Sequence, residues 1–155
     1  MSERNPTVVF PEPNKVVLED RPAPQLQPGQ MLIRTERTLI SIGTELTILS
    51  GDYEPGSDWA RYGKYPFVAG YNSVGEVVEA GSGLEGEWMG KRVASYGAHA
   101  AFVTSRPEQV RVVPEGVESE EAAFFTIAEI VMNGVRRGDV TWGESVGVYG
   151  LGLLG

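Results

Sequence analysis

Glycine and proline interrupt this chain so often that they decide what it can fold into. The sequence holds 20 glycines and 10 prolines in 155 residues, with no fixed period. Both residue types break regular elements, so they favour short strands joined by many turns over long helices or a fibrous repeat. Most of the chain is therefore predicted to be β-structure.

The stretches between these breaks are rich in β-branched and apolar residues. The predicted strands cover residues 8–10, 15–20, 31–40, 73–80, 92–96, 99–104 and 110–113. Gly75, inside one of them, predicts a bulge or a close approach of two backbones. Residues 41–50 are predicted to form a helical turn.

Residues 51–66 are predicted to be one long irregular loop. Such loops are uncommon inside compact domains and often carry function. Tyr53, Trp59 and Tyr62 lie in this segment. They are predicted to form either the mouth of a substrate cleft or a small satellite core.

A helix is predicted over residues 119–137, where apolar residues recur at helical spacing. Ser119 is its expected N-cap, and Gly138 is expected to follow its last turn as the C′ residue. A turn and a short strand over residues 145–149 come next. The fold class predicted is mainly β, with one long helix near the C-terminus.

Composition excludes several classes of function. The net charge of −8 disfavours binding to nucleic acid. The absence of cysteine excludes disulfides, thiolate nucleophiles and cysteine-ligated zinc. Neither a signal sequence nor a membrane span is recognisable, so the protein is expected to be cytoplasmic and independent of membranes.

Gly150, Gly152 and Gly155 form a G-x-G-x-x-G pattern directly after the predicted strand. In dinucleotide-binding folds, the first glycine makes a tight turn and the second lets the backbone approach a pyrophosphate. The third lets the following helix pack against the strand. The pattern predicts the start of a site for NAD or NADP; the alternative is a frayed tail.

An ordered set of short motifs resembles the medium-chain dehydrogenases/reductases, in particular the zinc-type alcohol dehydrogenase-like proteins. The motifs occupy residues 43–45, 70–75, 77–81, 90–93, 113–117 and 150–155. The spacing of residues 41–45 and 65–75 is similar to the branch that includes bacteriochlorophyllide a dehydrogenase. Asn72 stands where that enzyme is expected to have glutamate, which argues against a pigment substrate.

The resemblance implies a GroES-like, partly open β-barrel that carries the substrate site over residues 1–137. Residues 138–155 are then the first strand and turn of a truncated Rossmann domain. The implied parent is an NAD(P)-dependent oxidoreductase acting on a small alcohol or carbonyl compound, and it is a possible homo-oligomer. The 155-residue piece is expected to be inactive alone.

The resemblance also implies that the catalytic zinc of many relatives is missing. Ile42, Tyr71 and Asn72 stand where those enzymes carry cysteine, histidine and glutamate. Isoleucine offers no donor atom, and the other two are poor ligands for zinc. No metal is therefore expected.

Four residues are candidates for the catalytic site, and each has a plainer interpretation. Thr44 matches the hydroxyl that relays a proton in the family, or it caps a turn. Tyr71 is a candidate proton donor held by Glu45, or an aromatic residue that merely lines the pocket. Asn72 either lines the same cleft or pairs with the backbone. His99, the sole histidine, is expected to be packed or hydrogen-bonded rather than catalytic.

Two alternatives to a zinc-free alcohol dehydrogenase remain open at this point. One is a zinc-independent quinone or enoyl reductase. The other is a stand-alone GroES-like module for binding or assembly, although such a module has no use for a phosphate-binding turn.

Overall fold

Two antiparallel sheets form the body of the protein in a computed structural model that describes residues 4–155. The smaller sheet has the order β2-β1-β4, and the larger has the order β7-β3-β5-β6-β8. The strands are β1 (Arg4–Phe10), β2 (Val17–Pro22), β3 (Met31–Thr38), β4 (Phe67–Val68), β5 (Ser73–Ala80), β6 (Arg92–Ser95), β7 (Phe102–Ser105) and β8 (Val110–Val112). The sheets remain open, so the predicted mainly β, partly open GroES-like fold is confirmed.

Three of the five helices lie between strands, and the last two follow the final strand. The helices are α1 (Ile42–Ser50), α2 (Asp58–Tyr62), α3 (Glu85–Trp88), α4 (Ser119–Ala122) and α5 (Phe125–Arg137), with one 3₁₀ turn at Pro107–Gln109. Helix α2 lies inside the segment predicted to be irregular. It forms because Ser57 Oγ accepts a hydrogen bond from the Ala60 backbone N–H at 3.2 Å and caps its first turn.

The interior of the larger sheet holds the main core. Met31, Ile33, Val77, Val93, Val103 and Val110 are buried together there. Burying a side chain of this size contributes about 1.5–3 kcal/mol each relative to leaving it in water. This core fixes the sheet whose end carries the functional cleft.

Gly75 is the point where β3 and β5 approach each other most closely. A Cβ atom at this position would lie 2.1 Å from the backbone oxygen of Arg34. The pairing of β3 with β5 shifts register between Leu32 and Ile33 and again between Thr35 and Arg37. The predicted close approach is confirmed, and these shifts explain why β3 lacks a clean alternation of buried and exposed residues.

Two further apolar clusters attach helices to the sheets. Ile48 of α1 packs with Phe10 and Ala69. Ala123, between α4 and α5, packs with Val74 and Ala94. Helix α1 is thereby attached to the smaller sheet, and the start of α5 to the larger one.

The predicted helix over residues 119–137 is wrong in two details. It is divided at Ala123 and Phe124 into α4 and α5, and its N-cap is Glu118 rather than Ser119. Glu118 forms a reciprocal capping box with Glu121, whereas the Ser119 hydroxyl donates to Glu36 Oε2 at 2.6 Å. Ser119 thus tethers the helix to β3.

The predictions beyond α5 also need correction. The left-handed conformation that a C′ residue adopts is expected at Gly138, but Gly138 is right-handed (φ −72°). Asp139 is the left-handed residue instead (φ 50°). Residues 145–149 do not form the predicted strand. A strand requires a hydrogen-bonded neighbour, and no backbone within residues 4–155 pairs with this segment.

Candidate active site

A cleft of about 410 Å³ lies where the start of α1, the loop before β5, helix α5 and the glycine-rich turn meet. Its walls include residues 41–44, Tyr71, Ile127 and Ile130, together with residues of the 149–155 segment. Two of the predicted catalytic residues, Thr44 and Tyr71, are therefore in the same cleft as Gly150, Gly152 and Gly155. No other set of predicted site residues in the described chain is brought together in this way.

The polar wall of the cleft is a cluster of three hydroxyl groups. The Tyr71 hydroxyl donates to Ser41 Oγ, and it lies 3.3 Å from Thr44 Oγ1. Thr126 Oγ1 of α5 donates to the Tyr71 carbonyl oxygen at 3.5 Å and holds the backbone of that residue. Each hydroxyl can donate and accept, so the cluster can bind a substrate oxygen in either role.

Glu45 does not hold Tyr71, contrary to the prediction. One carboxylate oxygen accepts from the Ser41 backbone N–H at 2.8 Å, and the other lies 2.8 Å from His99 Nε2. The Glu45 and His99 side chains are only 4% and 8% exposed. Glu45 faces the interior because it follows Thr44 on α1, about 100° further round the helix.

Asn72 does not line the cleft and does not pair with the backbone. Its side chain is fully buried, and its amide nitrogen and oxygen have no hydrogen-bond partner among residues 4–155. Tyr71 therefore lines the cleft while the residue after it lies in the interior.

The three glycines of the glycine-rich turn differ in backbone conformation and in the space around them. Gly150 is left-handed (φ 99°), and a Cβ on Gly155 would lie 2.1 Å from the Gly150 carbonyl oxygen. Nothing lies within 4 Å of a Cβ built on Gly152. The turn is tight at its two ends and open in the middle, so it fits the close approach of a phosphate group.

The side chains at the metal position of zinc relatives do not fit zinc. Ile42 is more than half exposed at the cleft and has no donor atom, while Asn72 is turned away from it. Among residues 4–155, no three histidine, aspartate or glutamate side chains come together as a metal site. The expected absence of zinc remains a prediction that rests on this donor set.

The loop aromatics lie outside the cleft. The Tyr53 hydroxyl donates to the Gly63 carbonyl oxygen at 2.8 Å, and the Tyr62 ring packs edge-on against Phe67. Burial is the main reason that the pKa of nearby Tyr65 is raised. None of the three loop aromatics lines the cleft, and Trp59 and Tyr62 remain exposed (40% and 55%), so the three form neither its mouth nor a buried satellite core.

Tyr96 joins the end of β6 to helix α5. Its hydroxyl donates to Glu129 Oε2 at 2.8 Å, and this hydrogen bond is the main reason that the pKa of Tyr96 is raised. The ring also packs against Phe125, with centroids 5.1 Å apart. Tyr96 therefore helps to hold the helix that forms one wall of the cleft.

Sequence reasoning missed Ser41, Thr126 and the pairing of His99 with Glu45. Ser41 stands directly before the motif at residues 43–45, and a serine at a helix start is itself a signal of a functional hydroxyl or a cap. The contact between positions 45 and 99 has no counterpart in the local sequence, because it depends on the path of the chain between the sheets.

The sequence profile of the alcohol dehydrogenase GroES-like domain matches residues 27–144, well over half of the chain. The chain belongs to the medium-chain dehydrogenase/reductase family.

Relatives with described activities support this assignment. The chain is 30% identical over 117 residues to an alcohol dehydrogenase of Cupriavidus necator, covering 76% of this chain and 28% of that protein. It is 28% identical to L-threonine 3-dehydrogenase of Xanthomonas euvesicatoria, covering 93% of this chain and 50% of that protein. The chain thus spans half or less of the length of these relatives.

Solved structures share the fold. A quinone oxidoreductase from Coxiella burnetii superposes with a TM-score of 0.76 at 22% identity, covering 91% of this chain and 47% of that one. An alcohol dehydrogenase from E. coli CFT073, complexed with NADH, superposes with a TM-score of 0.75 at 17% identity, covering 89% of this chain and 47% of that one.

Within residues 4–155, no helix has both the length and the apolar character needed to cross a bilayer.

Proposed function

We propose that this chain is the substrate-binding part of an NAD(P)-dependent oxidoreductase that transfers hydride to or from a small alcohol or carbonyl compound. Residues 1–137 form the substrate domain, and residues 138–155 begin the dinucleotide-binding domain. One observation carries the proposal: the hydroxyls of Tyr71 and Thr44 share a cleft with the open glycine-rich turn. Hydride transfer requires this meeting of a polar oxygen-binding wall and a nicotinamide.

Tyr71 is proposed as the group that binds and protonates the substrate oxygen. A phenol carries its proton at neutral pH, so its hydroxyl can donate to a substrate oxygen rather than act as a base. Thr44 supplies a second hydroxyl at the same oxygen. The two donors stabilise the charge that develops there, in the position where zinc relatives use a metal ion.

The glycine-rich turn would hold the pyrophosphate of the dinucleotide, and the bound nicotinamide supplies the hydride. Gly152 provides the open space, and Gly150 and Gly155 give the turn its shape. The described residues provide this turn without a helix whose N-terminus faces it. We therefore propose that the 155-residue chain alone does not catalyse hydride transfer.

A second candidate reaction is reduction of a quinone or an enone by the same cleft. Its walls include the apolar side chains of Ile42, Ile127 and Ile130, and no metal-binding side chain faces it. Such substrates can be reduced without a metal because their electrophilic carbon is activated by conjugation. Both candidates place the site in the cleft, and they differ in the substrate.

A substrate panel tests the proposal with the full-length product of the gene. The probes are acetophenone, acetoin, L-threonine, 1,4-benzoquinone and a 2-enone, each with NAD(H) or NADP(H) and followed at the nicotinamide absorbance. We expect turnover with at least one probe, undiminished by dialysis against 1,10-phenanthroline. Turnover that is lost to the chelator and restored by Zn²⁺ contradicts the metal-free mechanism. No dinucleotide binding by calorimetry contradicts the oxidoreductase.

A further inference from the structure

Ser41 occupies the N-cap of α1 without using its side chain as a cap. An N-cap serine normally accepts a hydrogen bond from the backbone N–H of the second or third helical residue. Ser41 makes no such bond. Its Oγ instead receives the hydrogen bond from the Tyr71 hydroxyl. The Ser41 side chain therefore does not cap the helix and is hydrogen-bonded to Tyr71, the residue proposed as proton donor.

The backbone of Ser41 is fixed from behind by a buried pair. Glu45 accepts from the Ser41 N–H through one oxygen and contacts His99 Nε2 through the other, both at 2.8 Å. Because both carboxylate oxygens are committed, the position of Ser41 is set before any ligand enters.

A hydroxyl next to a proton-donating phenol has a specific use. When Tyr71 releases its proton, the remaining phenolate oxygen can only accept hydrogen bonds. The Ser41 hydroxyl can rotate and become a donor to that oxygen, whereas an aliphatic side chain cannot. Hydrogen bonds to charged groups are stronger than those between neutral groups, so this contact strengthens as the proton leaves.

We propose that Ser41 is a positioning residue that orients the Tyr71 hydroxyl and then donates a hydrogen bond to its oxygen during proton transfer. In the reduction of a carbonyl compound, the Tyr71 O–H bond breaks and an O–H bond forms on the substrate. The carbonyl carbon receives hydride from the reduced nicotinamide, which is oxidised. Solvent returns a proton to Tyr71 after product release. This inference rests on the role proposed for Tyr71.

The test uses the full-length enzyme with the panel probe that gives the highest turnover. Ser41→Ala should lower kcat about 10- to 100-fold, as expected for the loss of a hydrogen bond to a charged group, and leave KM within about 2-fold. Ser41→Thr, which keeps the hydroxyl, should restore most of the rate. Ser57→Ala is the matched control: Ser57 is also an N-cap serine, but its Oγ does cap its helix and it lies outside the cleft. Its kcat should be unchanged.

A double-mutant cycle separates action through Tyr71 from damage to the fold. In a Tyr71→Phe background, Ser41→Ala should cause no further loss of kcat. An equal loss in both backgrounds overturns the inference, because Ser41 then acts on the structure alone. If Tyr71→Phe lowers kcat and Ser41→Ala does not, only this inference fails. If Tyr71→Phe leaves kcat unchanged, the proposed role of Tyr71 fails with it.

A measurement without substrate checks the contact directly. The ¹³Cζ resonance of labelled Tyr71, assigned by its absence in Tyr71→Phe, should shift in Ser41→Ala and not in Ser57→Ala. Ser41→Gly serves if the alanine variant does not fold, since glycine at an N-cap costs only a few tenths of a kcal/mol. A resonance that is unchanged in both Ser41 variants contradicts the proposed hydrogen bond.

Discussion

The barrel and the segment after α5 differ sharply in how far their side chains are buried. In the barrel, Glu45 and His99 pair in the interior, and Val77 and Val93 are fully buried. In the segment over residues 138–155, Trp142 and Tyr149 are fully exposed. The difference indicates that the hydroxyl cluster of Ser41, Thr44 and Tyr71 is built by the barrel itself. The glycine-rich turn, in contrast, lies in a segment that gains little stability from residues 4–155.

The largest effect on stability is expected from the buried pair. Glu45→Ala leaves the Ser41 N–H and the His99 ring without their shared partner, and we expect it to lower the free energy of unfolding by about 1–3 kcal/mol for each buried group left unpaired. Glu76→Ala is the control, because its ion pair with Arg34 is exposed and is expected to contribute at most about 1 kcal/mol. Denaturant melts of the chain measure both; equal losses contradict the role given to the pair.

The next effect concerns the backbone contact in the middle of the larger sheet. Gly75→Ala places a Cβ against the Arg34 carbonyl oxygen, and we expect a loss of about 1–3 kcal/mol. Gly134→Ala, in an open position on helix α5, is expected to stabilise by about 0.5–1 kcal/mol. Thermal unfolding of the two variants should shift in opposite directions. A neutral Gly75→Ala is incompatible with the close pairing of β3 and β5.

A smaller effect is expected at the exposed ion pair between Arg37 and Glu120. The hydrogen bond from Arg37 is the main reason that the pKa of Glu120 lies below its ordinary value of 4.5. A carboxyl group whose pKa is lowered by folding stabilises the fold at pH values above its ordinary pKa. This contribution is lost as the pH falls through the lowered pKa of the folded state. Carboxyl NMR titration should show that Arg37→Gln raises the pKa of Glu120. An unchanged titration shows that the pair does not persist in solution.

The smallest effect is expected in the exposed segment. Trp142→Ala in the 155-residue chain should change the free energy of unfolding by less than about 0.5 kcal/mol, since the side chain contributes no buried area. Chemical denaturation followed by circular dichroism measures this. A loss as large as that of Glu45→Ala shows that this segment packs on the barrel and removes the contrast between the two regions.

Features that depend on neighbouring residues in the sequence could be predicted from the sequence. The strand over residues 73–80 and the close approach at Gly75 followed from β-propensity and from a glycine inside a strand. Thr44 and Tyr71 were found by resemblance, and both lie in the cleft. Ser119 was misread because a competing cap at Glu118 and a partner on β3 are invisible to helix rules.

Other features depend on contacts that span the chain. Glu45 and His99 are 54 positions apart, and the hydrogen bond between them replaces the predicted one to Tyr71. The strand predicted over residues 145–149 has the right composition, yet composition supplies no neighbour to pair with. Asn72 is predicted to line the cleft or to pair with the backbone, and the structure buries its side chain without either contact.

The central claim is that the Tyr71 hydroxyl serves the reaction in the cleft. The most direct measurement is kcat of the full-length enzyme carrying Tyr71→Phe, a change that removes one oxygen and keeps the ring. The account predicts a fall of about 10²- to 10⁴-fold, the range that a positioned proton donor typically contributes, with dinucleotide affinity retained. A kcat equal to that of the unaltered enzyme would contradict the claim and leave Tyr71 as a wall of the cleft.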